Sequence, residues 1–126
     1  MGLFDKLKKK KSMFVHDEKY DEFVAELNGI KFVCGKVEDN YEQLAKDLAN
    51  TYEEKLLDIV NFLLPDLSEM FGVSDVEIIQ KKLGKPQIDL DKGMIVYCEQ
   101  TLDDVHIVSV EFSGLFTEFY YTSIDG

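Results

Sequence analysis

Residues 40–64, NYEQLAKDLANTYEEKLLDIVNFLL, decide the fold predicted for this chain. Apolar side chains recur here at steps of three or four, which places them on one face of an α-helix. They are Tyr41, Leu44, Ala45, Leu48, Tyr52, Leu56, Ile59, Val60 and Leu63. Asn40 and Gln43 have the spacing of a capping box, and Pro65 predicts the end of the helix. A helix about 37 Å long with so wide an apolar face must pack on the rest of the chain.

A β-hairpin is predicted before this helix. Residues 22–27 and 30–37 have strand patterns, and the pair Asn28 and Gly29 lies between them. This pair favours the tight turn of a hairpin because both of its residues accept a positive φ.

After Pro65, another helical turn or two over residues 66–71, ended by Gly72, a short helix and four strands are predicted. Ser74 and Glu77 form another capping box, which begins a short helix over residues 75–83. From residue 87 the apolar period changes to two, and short turns separate the segments 87–90, 94–100, 105–112 and 115–124. Joints this short require antiparallel neighbours. The last segment is apolar on both faces, so we expect it to lie centrally or to be covered twice.

This order of elements predicts an α+β two-layer sandwich. The hairpin and the four-strand meander would form one antiparallel sheet of about six strands, with one long and one or two short helices packed on one face. No linker or change of composition divides the chain, so residues 1–126 are predicted to form a single domain.

The charge of the chain is strongly negative and unevenly distributed. Residues 1–11 carry five lysines and one aspartate, a net charge of +4, while the rest carries nine lysines and 24 acidic residues, a net charge of −15. The chain contains no arginine. Phosphate recognition favours guanidinium groups and a clustered basic face, so these numbers argue against nucleic acid as a partner. An acidic surface suits solubility or a partner with a basic surface.

Residues 1–11 form a basic segment with an apolar edge. Leu3, Phe4 and Leu7 fall on one side of a short amphipathic helix, and the lysines crowd the remainder: Lys6, Lys8, Lys9, Lys10 and Lys11. Such a segment favours an anionic membrane surface, but three apolar side chains predict at most a weak, salt-sensitive contact. The alternative is a solvated tail that docks lightly on the domain.

The two cysteines and the lack of targeting signals indicate a reducing compartment. Cys34 and Cys98 lie in predicted strands without the spacing of a metal or redox motif, and alternation places Cys98 in the core with Met94 and Val96. No apolar run is long enough to span a membrane, and the first residues lack the pattern of a signal peptide. We therefore expect a cytoplasmic protein with free thiols.

The sequence contains no recognisable catalytic, cofactor or metal motif. His106 lies beside Asp103 and Asp104, which allows a small enzyme with a histidine–carboxylate site as an alternative, although turn residues explain the same pattern. The segment 89–93, DLDKG, resembles the start of a calcium loop but lacks its later acidic ligands, so a turn is the better interpretation. We expect no catalytic residue, no cofactor and no metal site.

Several segments of the last two-thirds of the chain resemble small uncharacterised bacterial proteins. The segments are 83–90 (LGKPQIDL), 95–100 (IVYCEQ), 103–112 (DDVHIVSVEF) and 123–126 (SIDG). These families are known only as domains of unknown function, and some of their relatives are immunity-type proteins that neutralise toxins of competing bacteria. The resemblance implies a bacterial origin and transfers no functional residue.

Together these features predict a non-enzymatic protein-binding domain that docks a basic protein, for example as an immunity-type inhibitor. The predicted contacts are Asp103, Asp104, Glu118 and Tyr120, because aromatic side chains beside charges suit interfaces. Reversing Asp103 and Asp104 to lysine is expected to slow binding and to spare stability. A membrane adapter acting through residues 1–11 is a further alternative, and an edge-to-edge homodimer is compatible with the strand pattern.

Overall fold

The computed structural model describes residues 13–126, and this part of the chain contains seven strands and two helices. In chain order they are β1 (Val15–Asp17), β2 (Glu22–Leu27), β3 (Ile30–Cys34), α1 (Tyr41–Phe71), α2 (Val76–Leu83), β4 (Gln87–Asp89), β5 (Met94–Tyr97), β6 (Ile107–Ser113) and β7 (Glu118–Asp125). The predicted α+β class is confirmed.

The strands form one mixed sheet in the order β1-β2-β3-β4-β5-β6-β7, so the prediction of about six antiparallel strands is wrong. Strands β3 and β4 are parallel, with Phe32 opposite Ile88, while every other neighbouring pair is antiparallel. The two helices connect β3 to β4, and a crossover of this length is what parallel neighbours require. The seventh strand is β1, which pairs Val15 with Val24.

The hairpin formed by β2 and β3 is as predicted. Asn28 and Gly29 have φ values of 54° and 79°, and Leu27 pairs with Ile30 across the turn. Because the turn chemistry is local, the sequence signal was sufficient to locate it.

Helix α1 does not end at Pro65 but continues to Phe71, which corrects the predicted boundary. A proline inside a helix costs up to about 3 kcal/mol, since it removes a hydrogen bond and crowds the preceding turn. The apolar face nevertheless continues beyond it: Leu67 is fully buried and Phe71 packs against the core. Burial of these side chains offsets the proline.

Both predicted capping boxes are wrong in detail. The side chain of Asn40 makes no cap hydrogen bond, and the amide of Gln43 instead donates to Asp47 Oδ1 at 2.9 Å. At α2 the cap is Asp75 rather than Ser74, and its carboxylate accepts from the backbone N–H of Glu77 at 2.9 Å.

The core lies between the helices and one face of the sheet. Ile95 and Tyr97 are fully buried, opposite Val110 and Val108. The core side of β5 is therefore the one that excludes Met94 and Val96, and Cys98 lies beyond the strand and is exposed. The prediction of a core position for Cys98 is wrong because all four residues of β5 are apolar, so alternation alone did not indicate that Ile95 and Tyr97 face the core.

Strand β7 lies at an edge of the sheet, which corrects the expectation that it is central or covered twice. Tyr120 and Tyr121 are 50% and 73% exposed. Neither helix within residues 13–126 is both long and apolar enough to cross a membrane.

Candidate functional site

The four predicted contact residues separate into two pairs at opposite ends of the β6–β7 hairpin. Asp103 and Asp104 precede β6, whereas Glu118 begins β7 opposite Ser113, the last residue of β6. A strand of this length spans about 20 Å. A single small interface therefore cannot be centred on all four residues.

The loop from Gln100 to His106 is built around the buried side chain of Gln100, which is 6% exposed. Its amide oxygen accepts from the backbone N–H of Leu102 at 2.7 Å and of Asp103 at 3.3 Å. Its amide nitrogen donates to Asp103 Oδ1 at 3.1 Å and to the His106 carbonyl at 2.6 Å. The glutamine thus fixes the path of the loop and the position of Asp103.

The carboxylate of Asp103 is occupied by contacts within this loop. Its Oδ1 accepts from the backbone N–H of His106 at 3.0 Å and of Val105 at 3.1 Å, and Oδ2 lies 2.5 Å from His106 Nδ1. The backbone hydrogen bond from His106 is the main cause that holds the pKa of Asp103 well below its ordinary value. Partial desolvation opposes this effect, while the His106 ring, Gln100 and the Val105 N–H strengthen it. Because an ionised carboxylate only accepts, Nδ1 of His106 carries the proton that it donates.

This arrangement assigns Asp103 to loop structure, and its reversal to lysine would disrupt the loop as well as change the surface charge. Asp104 is exposed, with no hydrogen bond or ion pair of its side chain among residues 13–126. Of the predicted pair, Asp104 is the one whose carboxylate is available to a partner.

His106 lies in an aromatic and backbone environment. The ring of Phe71 meets it edge-on with the ring centroids 5.8 Å apart, and Gly126 packs so closely that an added Cβ would lie 3.1 Å from Nε2. Within the described residues, no hydroxyl or thiol side chain forms a hydrogen bond with the ring. The Asp103–His106 pair therefore has an imidazole oriented by a carboxylate, and among residues 13–126 no nucleophilic side chain is hydrogen-bonded to it.

Strand β7 contains a bulge that was not predicted. Val110 pairs with Thr122 and Phe112 with Phe119, so a single residue of β6, Glu111, faces two residues of β7. Those two are Tyr120 and Tyr121. The bulge lets Phe119 and Thr122 both face the helix layer while the two tyrosines between them stay in solvent.

The exposed tyrosines sit on a firmly held strand. Phe119 packs on Phe62 of α1 with ring centroids 5.5 Å apart, and the hydroxyl groups of Tyr120 and Ser113 lie 2.8 Å apart. Glu118 is exposed beside them. Tyr121 was missed because strict alternation places it on the Phe119 side, and no local sequence signal marks a bulge.

A groove of about 490 Å³ lies between the end of α1 and β7. It is lined by Asp66, Glu69, Met70, Thr122 and Ile124. The groove was not predicted, because the long helix was expected to end at Pro65. Residues 66–71 were predicted to be helical and to end at Gly72, as the structure has them, but not to continue α1 along β7.

The remaining candidates have structural roles. The carboxylate of Asp91 accepts from the Gly35 N–H and from the Tyr41 hydroxyl, both at 2.7 Å, so the DLDKG segment joins three parts of the fold. Across residues 13–126, no group of three or more acidic, histidine or cysteine side chains could hold a metal ion. Lys6 and the lysines at positions 8–11 lie outside the described residues.

A scan against protein-family models found no match, and searches of curated proteins and of solved structures likewise found none. The resemblance to small bacterial proteins stays a prediction.

Proposed function

We propose that this chain is a non-enzymatic protein-binding domain whose partner has a basic surface, and that the β7 edge is the contact. The observation that carries this proposal is the bulge at Tyr120 and Tyr121, which exposes two consecutive aromatic side chains on an edge strand. Acidic residues flank them within the same strand, Glu118 at its start and Asp125 at its end.

Tyrosines provide large contact areas and lose little side-chain entropy when they are buried by a partner. The surrounding carboxylates and the net charge of −11 would attract a basic protein and repel an acidic one, which raises the association rate and the selectivity. An immunity-type inhibitor of a basic toxin in the bacterial cytoplasm is one concrete form of this function, and it is the form that the resemblance implies.

A random peptide library selected on the wild-type chain tests the proposal. We expect enrichment of lysine-rich and arginine-rich peptides. The dissociation constant of an enriched peptide should rise about tenfold or more when the variant Tyr120→Ser/Tyr121→Ser replaces the wild-type chain. The matched control is Tyr20→Ser, because Tyr20 is 61% exposed but lies before β2, near the other edge of the sheet. This control should change the constant by less than about twofold.

Two results would contradict the proposal. One is a selection without preference for basic peptides. The other is an equal loss of binding in the control and in the double variant, since that would separate the binding from β7. Thermal melting of all three proteins should agree closely, because each substituted side chain is at least half exposed.

A further inference from the structure

We propose that a basic partner adds an extended segment to the free edge of β7, and that a lysine side chain of this segment enters the groove between α1 and β7. This inference rests on the proposed function and specifies how the partner is held. The groove is the one lined by Asp66, Glu69, Met70, Thr122 and Ile124.

The first support is the edge itself. Strand β7 has eight residues and pairs only with β6, so one side of its backbone is unpaired within residues 13–126. Proteins commonly protect such edges with lysine or proline, and β7 contains neither. The other edge strand, β1, has only three residues and offers a much shorter template. An extended peptide that adds to an edge gains backbone hydrogen bonds without requiring a particular sequence.

The second support is the shape of the groove. Phe62, Asp66 and Glu69 share one face of α1 because they are spaced by four and three residues. Phe62 closes that face against Phe119, and the groove lies beyond this contact. Thr122 and Ile124 face the groove, since their partners Val110 and Val108 lie in the core.

The third support is charge. A helix C-terminus carries a partial negative charge and favours cations, yet the last turn of α1 has no basic residue. Glu69 in this turn and Asp66 in the turn before it add two negative charges, and both are exposed. Within residues 13–126 the only lysine–carboxylate pair within 4.0 Å is Lys55 with Asp58. The groove carboxylates thus lack a cation from the described part of the chain.

The fourth support is an unsatisfied hydroxyl. Thr122 Oγ1 is the one buried side-chain polar atom without a hydrogen-bond partner among the described residues. Because this oxygen is covered, it reaches the groove only after the Thr122 side chain rotates about χ1. A lysine ammonium group then has three donors, one for this oxygen and two for the carboxylates. The methylene groups of the lysine would pack along Met70, which is 50% exposed, and Ile124.

Strand geometry then specifies the partner segment. Alternate side chains of an added strand point to opposite faces of the sheet. Those on the helix side would meet the groove, and those on the other side would meet the tyrosines of the bulge. The expected segment therefore alternates lysine with apolar or aromatic residues.

A second copy of the chain fits this edge poorly. If two β7 strands paired antiparallel over their whole length, Glu118 of each copy would face Asp125 of the other. Like charges directly opposite each other are destabilising, and both chains carry a net charge of −11. A basic partner avoids both repulsions.

The test uses an acetylated, amidated decapeptide of alternating lysine and valine, with binding to the full chain measured by calorimetry at low salt. We expect the variant Asp66→Asn/Glu69→Gln to weaken binding about tenfold or more, because both groove charges are lost. The matched control, Glu53→Gln/Glu54→Gln, makes the same charge change on exposed positions of the same helix and should weaken it less than about twofold. A peptide methylated on alternate backbone nitrogens keeps its charge and should lose binding.

The outcomes separate this inference from the proposed function. Equal binding by both double variants would overturn the entry of a lysine into the groove, and undiminished binding of the methylated peptide would overturn strand addition. Either result would leave a basic-partner function standing. A groove that takes free spermidine with the same dependence on Asp66 and Glu69 would be a small-amine site and would overturn the lysine-segment proposal. A dimer seen by sedimentation and dissociated by the decapeptide would assign the edge to a second copy. If no basic peptide from the library binds the wild-type chain, the proposed function is contradicted as well.

Discussion

The hydroxyl groups of Tyr52 and Tyr97 lie 2.5 Å apart inside the core, where helix α1 packs on strand β5. Both side chains are almost fully buried, and burial raises the pKa of Tyr52 to about 12. Desolvation also raises the pKa of Tyr97. The pair remains neutral at physiological pH and links the two layers by one hydrogen bond.

Removal of both hydroxyl groups should destabilise the protein by less than the sum of the two single removals. Tyr52→Phe or Tyr97→Phe leaves a buried hydroxyl without a partner and should cost about 1–3 kcal/mol, whereas the double variant loses both polar groups and should cost less than the sum. Chemical denaturation of the four proteins measures this cycle. Strict additivity would contradict a direct hydrogen bond.

The stability of the protein should depend on Asp103 at acidic pH. The pKa of Asp103 is lower in the folded state than its ordinary value of 3.8, so its contribution is present above about pH 4 and is lost as the pH falls below that. Asp103→Asn should lower the melting temperature at pH 7 and flatten its decline between about pH 4 and 2.

Asp104→Asn is the control for this experiment, because Asp104 is exposed and its side chain has no hydrogen bond to the rest of residues 13–126. Its melting temperature at pH 7 should match the wild type. If the two variants share one pH profile, the Asp103–His106 contact does not stabilise the loop.

The two cysteines should differ in reactivity. Cys34 is 3% exposed, and burial, helped by Asp91 and Asp89, raises the pKa of its thiol from 9.0 to about 11. That shift lowers its thiolate fraction about 100-fold at pH 8. Iodoacetamide should modify only the exposed Cys98 in the native protein and both thiols in guanidinium. Rapid modification of Cys34 in the native Cys98→Ser variant would contradict this assignment.

Pro65 should reduce the stability of α1. Pro65→Ala restores an N–H that can donate to the carbonyl of Asn61, and we expect a rise in stability of about 1–2 kcal/mol after the greater freedom of the unfolded chain is counted. Leu67→Ala should cost about 2–5 kcal/mol, because Leu67 is fully buried. If Leu67→Ala lowers the free energy of unfolding by less than Pro65→Ala raises it, burial of Leu67 does not explain why the helix continues past the proline.

Much of the fold was predictable from local patterns. The apolar period of three and four located α1, and the change to a period of two located the later strands. Asn28 and Gly29 located the first turn. The candidate site was predictable only in part: Glu118 and Tyr120 were selected from their residue types, whereas Tyr121 and the groove residues were not.

The sequence by itself determined most of the segments that become helices and strands, with β1 as the exception, because periodicity and turn chemistry act between residues a few positions apart. Only the tertiary structure decided that β3 and β4 are parallel neighbours, that α1 continues through Pro65, and that a bulge turns Tyr121 outward. Each of these depends on residues far apart in the chain, since burial of Leu67 and the register of β6 against β7 exist only after the layers meet. Patterns among neighbouring residues contain no information about these long-range contacts.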